Sequence, residues 1–192
     1  MVHHKTFEEG LTVMKKVILF FLLVLPLPAL GVDLPEGFRM NHYRAATPDS
    51  VPGGVVVDVA AVERLIEQGA TLVDVMGAGQ FATEGLDGVW IIDKQHLSID
   101  SGVWLPNVGR GYLSQRLEAF FRTELNRLSG DNLNHHLVFY CVADCWMAWN
   151  AAKRAGLWGY ANVNWFPEGT DGWKHSGHAL VHATPTPLSL AE

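Results

Sequence analysis

The residue this chain uses least is cysteine: there are two in 192 residues, Cys141 and Cys145, both inside Cys141-Val142-Ala143-Asp144-Cys145-Trp146. Two cysteines allow one pairing, and it is either a structural disulfide or a chemically active pair. A basic run is also missing. Lys and Arg number 14 against 20 Asp and Glu, a formal net charge of −6, which argues against nucleic acid because that binding depends on neutralising phosphates. No cationic amphipathic stretch points to a membrane surface, and no internal repeat is present. The one long apolar run, Val17 to Leu25, falls short of the about 20 residues a membrane span needs.

That run predicts export. Met14-Lys15-Lys16, the apolar segment and Pro26-Leu27-Pro28-Ala29-Leu30-Gly31 have the three-part layout of a secretory signal, with Ala29 and Gly31 at the small-residue positions. The expectation is a signal peptide over 1–31, cleaved after Gly31, with 1–13 an upstream extension if translation starts at Met1 rather than Met14. The mature chain would be periplasmic and free of the membrane. Its length fits one domain with a proper core.

Residues 32–54 carry prolines, glycines and no apolar period, and read as an extended N-terminal arm. Val55-Val56-Val57 is a short β-branched run. Asp58 suits the N-cap of a helix whose face is Val62, Leu65 and Ile66, closed by Gly69. Thr71 to Val75 and Val89 to Ile92 read as strands. Residues 93–111 read as loop, Tyr112 to Leu128 as an amphipathic helix, and Leu137 to Tyr140 as a strand buried on both faces. Met147 to Ala155 is helical, Ala161 to Phe166 is a last strand, and 181–192 is expected to be disordered. Alternating strands and helices predict an α/β sandwich with a mainly parallel sheet.

In such sheets ligands sit beyond the carboxyl ends of strands, where loops lead into helices. Cys141 follows a buried strand, so backbone N–H groups and a helix dipole are expected to favour its thiolate. Cys145 adds a second thiol within reach. Cys141 is therefore the expected attacking thiol and Cys145 the resolving one, with a permanent disulfide closing the loop as the bland alternative. Two soft thiolates also suit Cu(I), with Met147, His175 or His178 completing the site.

From Val55 to Leu180 the chain resembles the rhodanese-like family. Leu72-Val73-Asp74-Val75 is similar to its strand ending in Asp-Val-Arg, Gly85-Leu86-Asp87-Gly88-Val89 to its glycine turn, and Cys141 to Trp146 to its six-residue active loop. Ala151-Ala152, Gly159-Tyr160, Asn162-Val163, Glu168-Gly169, Gly172-Trp173 and Gly177 follow in spacing, around an insertion at 94–111. The Cys-Trp ending, the run to Ala155 and Pro167-Glu168-Gly169-Thr170-Asp171-Gly172-Trp173 resemble the exported CXXCW-motif proteins associated with pyrroloquinoline-quinone-dependent catabolism. Here three residues, not two, separate the cysteines. The resemblance implies a rhodanese-like three-layer sandwich over 55–180 and a role in quinoprotein-dependent alcohol or aldehyde catabolism. It implies a quinoprotein dehydrogenase or its cytochrome as partner, with the quinone a cofactor by association only.

The departures from that pattern shape the expected chemistry. A sulfurtransferase loop holds an anionic donor with cations, whereas this one has Val142 and Ala143 after the nucleophile, Asp144 as a nearby negative charge, and Trp146 where an arginine is expected. Met76 replaces the arginine after Asp74-Val75. Thiosulfate cleavage is therefore not expected. If the chain is an enzyme, it is a thiol-disulfide oxidoreductase or a sulfurtransferase-like relay working through a disulfide or persulfide. The alternative is a non-catalytic binding module or Cu(I) metallochaperone. Trp146 suggests a flat ligand or partner, and Arg110 in the insertion is expected to roof the pocket and restore a cation. Asp74 is expected at the strand end beside the loop, and Glu168, Asp171 and Trp173 as supports.

Overall fold

The computed structural model describes residues 32–77, 82–84, 90–92 and 94–188. The expected signal over 1–31 and the glycine turn at 85–89 lie outside the described residues. In chain order the elements are β1 (Val55–Val56), α1 (Val59–Glu67), β2 (Thr71–Asp74), β3 (Ala82–Glu84), β4 (Trp90–Ile92), β5 (His96–Ser98), β6 (Val103–Trp104), α2 (Gln115–Ser129), β7 (Leu137–Tyr140), α3 (Trp146–Leu157), β8 (Val163–Phe166), α4 (Gly169–His175) and β9 (Val181–Ala183).

Five strands form the central sheet in the order β1-β8-β7-β2-β6, every neighbouring pair parallel. A parallel sheet is stable only with both faces covered, and the side-chain alternation of its strands divides the core in two. Val73, Leu137, Phe139, Val163 and Trp165 face the cluster built with α2 and α3. Leu72, Val138, Tyr140 and Phe166 face a smaller cluster with Val62 of α1 and Trp173 of α4. The result is a three-layer α/β sandwich, the fold class the sequence predicts.

Local signals place the helix starts. The Asp58 side chain accepts the Ala61 amide at 2.8 Å and opens α1. Ser114 does the same for Leu117 and opens α2, which begins after the loop from Tyr112 and ends at the left-handed Gly130. Helix α3 starts at Trp146, with Cys145 as its N-cap residue.

Two expectations are corrected. The tail is not disordered through 188: β9 pairs antiparallel with β5, Thr186 donates to the Trp104 carbonyl, and Leu188 is buried. Pro185 bridges to Trp104 of the insertion and precedes the Thr186 bond, a pairing a local pattern cannot reveal. The insertion is not merely loop, because β6 extends the central sheet and Trp104, Leu105 and Val108 enter the core. The strand expected over 89–92 is present in its described part, β4, which pairs antiparallel with β3 outside the central sheet.

The extended arm is docked rather than free. Every residue of α3 from Trp146 to Ala155 is buried, so chain without regular structure covers it, and the backbone polar groups of that chain need partners. Asn150 supplies a matched set. Its Oδ1 accepts the Arg39 amide at 2.9 Å, while its Nδ2 donates to the carbonyls of Arg39 and Gly109 at 2.8 and 2.9 Å. Lys153 donates to the Pro35, Glu36 and Gly37 carbonyls, and Arg154 to those of Val108, Arg110 and Gly111. Trp149 Nε1 donates to Ser50. Gly109 is required by the close approach, since a Cβ there would stand 2.2 Å from the Met147 carbonyl oxygen.

Asn150→Ala is expected to lose stability at about 1–3 kcal/mol for each buried backbone group left unpaired. It should also release residues 32–46 to protease before the core unfolds, read by urea denaturation and limited proteolysis. An unchanged midpoint and cleavage pattern would show that the arm is held by other contacts.

Candidate functional site

The two cysteines meet at the carboxyl edge of the sheet. Cys141 directly follows the central strand β7, whose four residues are fully buried. Asp144 takes a left-handed conformation, φ 52°, which turns the chain so that Cys145 comes back to cap α3. Gly169 closes the loop from the far side. Its φ is +53° and a Cβ would meet the Cys141 carbonyl oxygen at 2.3 Å, so only glycine fits. The next amide, Thr170, donates to that same carbonyl at 2.8 Å, and Asp171 accepts the Ala143 amide at 3.0 Å.

Both cysteines are free, 1 % and 4 % exposed, and their side chains are hydrogen-bonded to each other. They are not equivalent. Burial pushes the Cys141 thiol well above its ordinary value, with Cys145 and the Asp74 carboxylate adding to the rise. Cys145 is lowered, first by the hydrogen bond from Cys141 and then, against its own burial, by the Met147 and Ala148 amides and the Arg44 charge. The helix N-terminus expected to serve Cys141 serves Cys145 instead, because α3 begins one residue after the second cysteine.

The cation is also not the expected one. Arg44 lies on the arm, 101 positions before the cysteine it acts on, and pairs antiparallel with Cys145. The Ala45 amide donates to the Asp144 carbonyl at 3.2 Å and the Trp146 amide to the Tyr43 carbonyl at 2.9 Å. Residues 43–46 thus form a strap over the pair. Arg110 sits exposed on its turn, where its carbonyl accepts from Arg154. Sequence reasoning missed Arg44 because no spacing rule links it to the loop.

Trp146 is not an open ligand face. It is 1 % exposed, its Nε1 donates to Ala46 at 3.1 Å, it meets Trp149 edge-on, and the Arg39 guanidinium lies 5.1 Å from its ring. It anchors the strap. Val142 and Ala143 are half-buried and Asp144 is exposed. The carboxylate that acts on Cys141 is that of Asp74.

Asp74 is fully buried and well supported. Its Oδ1 accepts the Met76 amide at 2.9 Å, while its Oδ2 lies 2.7 Å from His96 Nε2 and accepts from the Ser98 hydroxyl. Because Ser98 gives its proton to Asp74, the Tyr140 hydroxyl at 2.7 Å is the donor to Ser98. Asp74, His96 and Ser98 have the composition of a hydrolytic triad but not its order, since the carboxylate rather than the imidazole contacts the serine. All are buried, which makes the set a brace for the β2 end. His96 and Ser98 come from the insertion, read from sequence only as loop.

Glu168 is exposed at the N-cap of α4 and makes no side-chain cap bond. Trp173 is buried and stacks on His178, whose Nε2 pairs with Glu63 at 2.7 Å. His175 is exposed. The histidines expected to complete a copper site are thus not gathered at the thiols, and no group of three or more His, Cys, Asp or Glu able to hold a metal occurs among the described residues. A groove of about 340 Å³ lined by Phe38, Leu113, Arg154 and Trp158 has no cysteine on its wall. Burial lowers the Arg154 guanidinium there to about 10.

No family model and no curated protein matches the chain.

In cysteine alkylation followed by peptide mapping, Cys145 is expected to titrate below an ordinary thiol and Cys141 above it; Arg44→Met should move the Cys145 midpoint upward. The reverse order of the two midpoints would reject this assignment. Tyr140 is raised well above 10.0 by burial and then by Asp74. A raised acid contributes stability that is complete below its unfolded value and is lost as pH rises towards the folded one. Stability should therefore fall from about pH 10 upward, and Tyr140→Phe should flatten that alkaline loss in denaturation curves.

Proposed function

We propose that this chain is a rhodanese-like periplasmic protein whose Cys141 and Cys145 form a working dithiol. The observation that carries the reading is the placement of two free, mutually bonded thiols between the end of a central parallel strand and a helix N-terminus. That is where α/β sheets put their ligand sites. A permanent disulfide closing so short a loop would add little stability, which also favours chemistry over a staple.

Cys145 is the attacking group and Cys141 the resolving one, reversing the order the sequence suggests. The Cys145 thiolate attacks a partner disulfide and forms a mixed disulfide, expelling one partner thiolate. Cys141 then gives up its proton and attacks the Cys145 sulfur, releasing the second partner thiolate. Two electrons pass to the partner and leave a Cys141–Cys145 disulfide, which a thiol reductant resets. Sulfur relay uses the same nucleophile, with a sulfane sulfur held on Cys145. The strap must withdraw for either, since both thiols are covered.

The resemblance to the CXXCW-motif proteins supports a client in quinoprotein-dependent alcohol or aldehyde catabolism, a dehydrogenase or its cytochrome. Quinoprotein dehydrogenase genes beside this one are the expected neighbourhood, and their absence would remove the pathway while leaving the dithiol.

Equilibration in graded thiol buffers, followed by mass spectrometry, should show a reversible Cys141–Cys145 disulfide. Cys141→Ser should accumulate a mixed disulfide on Cys145, whereas Cys145→Ser should trap far less. Thiols that stay free at every potential would end the redox reading.

A further inference from the structure

Met76 has no part in the dithiol exchange, yet its position is tightly specified. It follows β2, its amide is held by Asp74 Oδ1 at 2.9 Å, and its carbonyl accepts from Trp104 Nε1 at 3.0 Å. The side chain is buried, and its Sδ lies 3.7 Å from Cys141 Sγ. Cys141 in turn is hydrogen-bonded through sulfur to Cys145. The Cys141 sulfur at the end of β7 therefore meets a sulfur from each of two other elements: Met76 after β2 and Cys145 at the N-cap of α3.

We propose that Cys141 Sγ, Cys145 Sγ and Met76 Sδ form a three-sulfur site for a single Cu(I) ion. Thiolate and thioether donors select soft ions such as Cu(I) over the hard ions that carboxylates and water suit. The chemistry of the set matches that choice, as no cluster of three His, Cys, Asp or Glu competes among the described residues. Size fits as well. Metal–sulfur bonds of about 2.3 Å in a trigonal plane hold the sulfurs about 4 Å apart, close to the 3.7 Å already present between Met76 and Cys141.

Loading is charge-balanced and involves no redox change. Cu(I) replaces the thiol protons of Cys141 and Cys145, and two thiolates with one Cu(I) leave a single net negative charge. Asp74 opposes that charge, while Arg44 and the α3 amides, which already act on Cys145, oppose Asp74. The strap that covers the thiols also keeps water from the ion. A Cys141–Cys145 disulfide offers no thiolate, so oxidation and Cu(I) binding exclude each other. The site uses the same cysteines as the proposed redox exchange but not that exchange, and the two readings fail separately.

The test is anaerobic titration of the reduced full chain with Cu(I) against bicinchoninate, with X-ray absorption on the loaded protein. One equivalent should be withdrawn from the chelator, with three sulfur neighbours at about 2.3 Å. Met76→Leu conserves volume and should keep the fold and the Cys145 alkylation profile, yet lower Cu(I) affinity by at least roughly tenfold, the scale seen on losing even an outer-sphere partner. Its sulfur count should drop to two. Cys141→Ser should abolish binding whatever becomes of Met76→Leu. Failure to compete with the chelator, nitrogen or oxygen neighbours, or wild-type affinity in a folded Met76→Leu protein would overturn the proposal. A protein that binds Cu(I) but never forms the disulfide would retain this site and lose the redox function.

Discussion

Helix α3 is the element on which the rest of the molecule depends, because it is apolar enough to be enclosed and polar enough to dictate what encloses it. A helix buried on every side normally carries no charge. This one carries Asn150, Lys153 and Arg154, each 7 % exposed or less, and those side chains fix the backbone of two irregular segments, the arm and the turn at 107–111. Buried carbonyls and amides without a partner each cost free energy comparable to a lost hydrogen bond. The helix thereby converts unstructured chain into a fitted cover, and that cover puts Arg44 and the strap on Cys145.

The electrostatics of the pair follow from this enclosure. Burial alone would raise both thiols. What separates them is direction: Cys141 lies towards the Asp74 brace, and Cys145 towards the α3 amides and Arg44. The hydrogen bond between them amplifies the difference, since a donor that keeps its proton stabilises a neighbour that has lost one. One loop therefore holds a proton-bearing thiol and a thiolate-favouring thiol in contact. That asymmetry suits disulfide exchange, and the adjoining Met76 sulfur adds to it a soft donor set.

Where periodicity and local chemistry decide, the sequence is legible. The β-branched Val55-Val56, the Asp58 cap and the unbroken apolar run Leu137 to Tyr140 all sit in the structure as read. Each owes its conformation to neighbours within a few residues or to burial on both faces of the sheet. The place of the cysteines after the buried β7 strand and of Asp74 at the β2 end was likewise within reach. The insertion, the tail and the arm were not. Their order comes from pairings such as β5 with β9 and Arg44 with Cys145, and residues so far apart leave no periodic trace. Trp146 misled for the same reason, since an aromatic in a loop reads as exposed until the chain covering it is known.

By itself the sequence determined that there would be an α/β sandwich and that two cysteines would stand at the end of its central strand, because hydrophobic alternation and turn residues act locally. Which cysteine favours the thiolate, which cation serves it, and which third sulfur stands beside it were decided only by the tertiary structure. Those properties depend on charge, amide dipoles and burial contributed by segments remote in the chain, and Coulombic and desolvation effects are set by distance in space rather than by separation in sequence.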